Sequence, residues 1–96
     1  MPITREIMEK VAADTGITID KLTVSGFLAL LREKRRKIMI DKLDILVRYD
    51  VASADELETK IRAGKIPEHP AWEDLILLEN LETSLAFVDE DIKSLQ

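Results

Sequence analysis

The chain's helix breakers are few and unevenly placed: three glycines and three prolines in 96 residues, with none between Gly26 and Gly64 and none after Pro70. Glycine and proline are the strongest punctuation of local structure, so long stretches without them can run as uninterrupted helices. In the first stretch, Phe27, Leu28, Leu31, Ile38, Met39, Leu43, Ile45 and Leu46 recur at helical spacing, which predicts a long helix over about 25–49. In the second, Ala71, Leu78, Leu85 and Ile92 recur every seven residues, and Leu81, Val88 and Leu95 do so on the neighbouring line. That pattern predicts a long, acidic, amphipathic helix over about 70–95, with Asp74 the one misfit at its first turn. Pro70 suits a first helical turn, and Glu73 and Asp74 complement the positive end of the helix dipole.

Shorter elements fill the rest. Ile7, Met8 and Val11 share one stripe, so a short helix over about 4–14 ends at Gly16, and residues 1–22 read as a short N-terminal helix or arm. Ile17 to Lys21 reads as a connector, with Thr18 capping Asp20, Lys21 and Leu22. Arg32 to Lys37 interrupts the apolar stripe of the long helix without breaking it, because lysine and arginine stems cover apolar surface while their heads reach water. Ser53-Ala54-Asp55-Glu56 has the form of a capping box, in which serine and glutamate each satisfy an orphan backbone N–H. It opens a short helix over 53–63 that carries Leu57 and Ile61 and stops at Gly64. Pro67 and Pro70 then define a turn, with His69 and Pro70 setting the next helix entry and Trp72 packing the elbow.

These elements make one all-α domain over 1–96: a long antiparallel helical hairpin with a short connecting helix. A domain this short buries only about 60% of its unfolded surface, and two long helices make a thin core. Ile76, Leu77 and Phe87 lie beyond the seam, so a homodimer forming a helical bundle is the economical way to cover them. The seam residues Leu78, Leu81, Leu85, Val88 and Ile92 are the candidates for self-association.

Chemistry is limited by residue supply. There is no cysteine, and the only histidine is His69, flanked by Glu68, Glu73 and Asp74 without a second imidazole at metal-binding spacing. Nucleophilic catalysis needs a base beside the nucleophile, the carboxylates sit at spacings of solvated helix faces, and the glycines form no phosphate loop. The residues therefore point to a non-enzymatic protein without metal or cofactor. No apolar run reaches membrane-spanning length, no signal peptide is evident, and the expected location is the cytoplasm.

The net charge of −5 hides an asymmetry. Residues 1–54 carry ten basic and eight acidic side chains, whereas 55–96 carry four and eleven. The acidic last helix suits a small basic partner protein, with Glu82, Asp89 and Glu90 as the candidate partner-binding residues. The basic cluster Arg32, Lys34, Arg35, Arg36 and Lys37 is interleaved with Glu33 and followed by Asp41 and Asp44. Pairing with the acidic helix or with a partner is expected of it over binding a nucleic acid backbone.

One segment invites comparison. Y-D-V-A-S-A-D-E-L-E-T-K-I-R-A-G-K-I-P-E-H-P-A-W-E-D-L-I-L-L-E-N-L-E, from Tyr49 to Glu82, resembles a pattern in short archaeal and bacterial proteins regarded as antitoxin-like components of two-gene modules. By that resemblance the structural positions of the elbow are Gly64, Pro67, Pro70 and Trp72, and the function implied is to neutralise or regulate a small partner protein. The competing class is a self-associating structural or regulatory protein, with a DNA contact through residues 32–37.

Overall fold

The computed structural model describes residues 2–96 and contains four helices: α1 (Arg5–Thr15), α2 (Ile19–Tyr49), α3 (Ala54–Arg62) and α4 (Glu68–Leu95). No strand occurs among the described residues. The all-α hairpin read from the sequence is the architecture observed. Three intramolecular ion pairs measure its register: Arg48 to Asp74 at 3.1 Å, Lys42 to Glu82 at 3.7 Å and Arg35 to Asp89 at 2.6 Å. In each pair the two residue numbers add to nearly the same value, which is the signature of antiparallel helices.

The local signals formed as their chemistry dictates. Thr4 Oγ1 accepts from the Ile7 N–H at 3.2 Å and opens α1, and Gly16, at φ 70°, closes it with its N–H on the Ala12 carbonyl. At the capping box the Glu56 N–H donates to Ser53 Oγ at 3.1 Å, and Glu56 Oε2 accepts from the Ala52 N–H at 2.7 Å. The regular part of α4 begins at Pro70, because His69 stands outside helical geometry at φ −110°, ψ 128°.

The start of α2 departs from the reading above. The segment assigned to a connector is the first turn of the long helix: Thr18 Oγ1 accepts from the Lys21 N–H at 3.2 Å, and helix continues through Gly26. A glycine inside a helix costs about 1 kcal/mol relative to alanine, too little to stop one already capped and flanked by the half-buried Leu22, Val24 and Leu28. The cap therefore outranks the glycine.

The core sits at one end of the hairpin. Ile45, Leu57, Leu75 and Leu78 are the largest fully buried side chains, joined by Val51, Ala54, Ile61 and Ala71 where α3 packs on the α2–α4 pair. By the register above, α4 runs out opposite about Leu28, so the first ten residues of α2 extend past it and meet only α1. The result is a rod of 62 × 26 × 16 Å. Its radius of gyration is 19.8 Å, against about 12.5 Å for a compact chain of this length.

Candidate protein-binding surfaces

At the closed end, where α3 caps the hairpin, the elbow is structural. Gly64 takes φ 74°, a left-handed conformation that a side chain resists, and its N–H meets the Ile61 carbonyl at 3.0 Å. Pro67 precedes α4, Pro70 stands at its first regular turn, and Trp72 lies half-buried against the core with the Arg62 guanidinium 5.4 Å from its ring centroid. On the other flank Arg48 and Tyr49 both donate to Asp74 Oδ2. Burial first, and then the bond to Asp74, push the Tyr49 phenol pKa up. Asp74, a misfit in the apolar repeat, is thereby the acceptor that ties the end of α2 to the start of α4.

Within the chain the α4 seam residues, the sequence candidates for self-association, face α2 and are covered to different degrees. Leu78 and Val88 are fully covered, at 0% and 4% exposure, and Leu81, Leu85 and Ile92 are half-buried. Ile38 and Ile45 of α2 are buried in the same hairpin. A heptad line reports that a helix has a partner but not whether the partner is the same chain. The acidic positions divide likewise. Glu82 and Asp89 are held by Lys42 and Arg35 of α2, whereas Glu90 stays exposed and free of any ion pair among the described residues.

The basic cluster is partly neutralised too. Arg36 forms a two-pronged bond to Glu33, at 2.9 and 2.7 Å, which lowers the Glu33 pKa and raises that of Arg36. His69 Nδ1 lies 3.2 Å from Glu73 on an exposed surface. Among the described residues no group of three or more histidines, cysteines or carboxylates gathers as a metal site would require, and no helix is long and apolar enough to cross a membrane.

Three concave surfaces stand out among the described residues. A cleft of about 540 Å³ lies between α1 and the overhanging start of α2, lined by Ile3, Ile7, Met8, Val11, Leu22 and Phe27 among others, with almost no polar atom exposed in it. A groove of about 560 Å³ runs along α2, its floor formed by Met39, Ile40, Leu43 and Leu46 and its rim by Arg32, Arg35, Arg36 and Lys42. A third, of about 460 Å³, lies along α4 beside the start of α3, where Asp55, Glu79, Glu82 and Glu90 surround Ala86 and Phe87.

The exposed flank of Ile76, Leu77 and Phe87 was legible in the sequence, at 57%, 48% and 64% exposure. The sequence reading places Met39 and Leu43 on the same stripe as Ile38 and Ile45, whereas in the structure they form, with Val47, a second and exposed apolar line of α2. The signal was present: at 100° per residue, Met39 and Leu43 lie well to one side of Ile38 and Ile45, so one stripe was in fact two.

No curated protein and no solved structure matches the chain. A family model does match, over residues 1–96, and the chain belongs to the family it describes, the Uncharacterized protein MJ0235 family.

Proposed function

We propose that the protein is a non-enzymatic, antitoxin-like binding subunit that engages a small basic partner protein and pairs with a second copy of itself. The observation that carries this reading is surplus surface. The chain exposes 7188 Å², against about 5,600 Å² for a compact monomer of 10.9 kDa. The difference is of the order of a whole standard interface, about 1,600 Å² counted over both partners.

The surplus is also apolar. Ile3, Phe27, Leu30, Leu43, Val47, Ile76 and Phe87 are each more than half exposed, and all but Val47 and Ile76 line the concave surfaces. The cleft between α1 and α2 offers an apolar seat for a segment of the partner. The net charge of −5 speeds the encounter with a basic protein.

The test is copurification. A small protein encoded by the adjacent gene should come down with the wild type, and Phe27→Ser combined with Leu30→Ser in the cleft should release it while the free protein keeps its helicity. Retention of the partner by that double variant, or no copurifying neighbour at all, rules the reading out.

A further inference from the structure

We infer that two copies dock reciprocally, the basic groove of α2 in one copy receiving the acidic groove of α4 in the other. This rests on the self-pairing part of the proposed function and specifies the surface that performs it. The hairpin seam is already filled, so self-pairing has to use faces that point away from it.

Two observations select these faces. The first is placement. Met39, Leu43 and Leu46 on α2 are displaced from the core positions Ile38, Lys42 and Ile45 in the same rotational sense as Thr83, Ala86 and Glu90 on α4 are from Glu82, Leu85 and Asp89. Both helices are right-handed and they run antiparallel, so equal rotation brings both sets to the same side of the hairpin. One broad face therefore carries the α2 groove and the α4 groove side by side. A two-fold axis along the rod sets α2 of each copy against α4 of the other, antiparallel and at matching height. Residues 32–46 of α2 stand level with about 78–92 of α4 by the register of the ion pairs, the span that holds Glu79, Thr83, Phe87 and Glu90.

The second is charge. The two grooves have comparable volumes, about 560 and 460 Å³, and opposite rims. Asp55, Glu79 and Glu90 enter no ion pair among the described residues. On the other rim Arg32 is likewise unpaired, while Arg35 uses only its Nε on Asp89 and Arg36 uses two nitrogens on Glu33. A guanidinium has five donors, so both retain several to offer. The opposite orientation, α2 on α2, would set arginine rims against each other, and like-charge juxtaposition costs several kcal/mol. Met39, Ile40 and Leu43 of one copy then meet Phe87 of the other, which covers apolar residues that no intrachain contact covers.

Sedimentation equilibrium with a pair of charge reversals tests the arrangement. Arg32→Glu with Arg36→Glu makes both α2 rims repel the α4 rims, and Glu79→Lys with Glu90→Lys does so from the other side. All four positions lie outside the α2–α4 ion pairs, so far-ultraviolet circular dichroism should be unchanged. Each variant alone should self-associate at least about tenfold more weakly than the wild type, since each 1.4 kcal/mol is a factor of ten. An equimolar mixture of the two should recover a heterodimer, because both interfaces then pair opposite charges.

Phe87→Ser, at a position 64% exposed, should weaken association without any change of charge. A dimeric wild type indifferent to both reversals, or a mixture that stays monomeric, overturns the docking mode and leaves self-pairing in place. A monomeric wild type overturns both, and copurification through the α1–α2 cleft, which uses none of these residues, still reports separately on the foreign partner.

Discussion

At the closed end, Ile45, Leu57, Leu75 and Leu78 come from three helices and each is at most 2% exposed; at the open end, Ile3, Phe27 and Leu30, side chains of the same kind, are each more than half exposed. What differs is the number of elements that meet. Where α2, α3 and α4 converge, every apolar face finds two others, whereas α1 and the overhang of α2 have only each other. The comparison shows how a chain of 96 residues can be folded and still present apolar surface: burial is concentrated at one end, and the other end keeps its apolar side chains exposed.

The sharpest way to break this contrast is to truncate one leucine at each end. Leu78→Ala should destabilise by about 3–5 kcal/mol, because it removes a fully buried side chain and leaves a cavity that the packed elbow does not easily close. Leu30→Ala, at a position 66% exposed, should cost less than about 0.5 kcal/mol in the isolated protein. Urea unfolding followed by the fluorescence of Trp72, the only tryptophan, reads both. Equal costs would mean that the open end is covered in solution.

A smaller effect sharpens the description of the closed end. Tyr49 is the only tyrosine, so phenolate absorbance reports it alone. Its pKa is raised on folding, above the ordinary value of about 10, by burial and by the hydrogen bond it donates to Asp74. A group that holds its proton more tightly when folded stabilises the fold fully below its unfolded pKa, and that stability is lost as pH rises through the folded value. Titration in native buffer should therefore run to higher pH than titration in urea, and unfolding free energy should fall above about pH 10. Tyr49→Phe should remove that alkaline decline and cost about 1 kcal/mol at neutral pH. Coincident native and urea titrations would show that the Tyr49 phenol is neither buried nor bonded to Asp74 in solution.

The smallest effect has the opposite sign and belongs to the open end. Gly26 is helical, and a Cβ placed there meets nothing within 4 Å. Gly26→Ala should therefore stabilise the start of α2 by about 0.5–1 kcal/mol, seen as slower amide hydrogen exchange over 19–28. Gly64→Ala at the closed end, where φ is +74°, should instead destabilise. Faster exchange in the Gly26 variant would mean that the helix bends there when the end is free.

What could be read from the residues follows from the range of the interactions involved. The caps at Thr4, Thr18 and Ser53 are hydrogen bonds over three residues, and both members of each lie in one short stretch of sequence. Thr18 reads from the sequence as a cap, but which helix it opens depends on whether the β-branched stretch after it continues into the long helix, as it does in the structure. The bases of Lys42 and Arg35 were available as neighbours for the acidic helix, yet which carboxylates they would hold depended on a register that no local signal carries.

The sequence by itself determined that this protein is helical and where α1, α3 and the regular part of α4 begin and end. Breaker placement, capping and apolar periodicity act within a few residues, so they are written in the chain directly. The tertiary structure alone decided that the α4 seam closes on α2 of the same molecule, that Glu82 and Asp89 are held internally while Glu79 and Glu90 stay open, and that α2 overshoots its neighbour to leave a cleft with α1. Each of these depends on the offset at which two long helices meet, and that offset is set by the packing of Ile45, Leu57, Leu75 and Leu78, which come from distant parts of the chain.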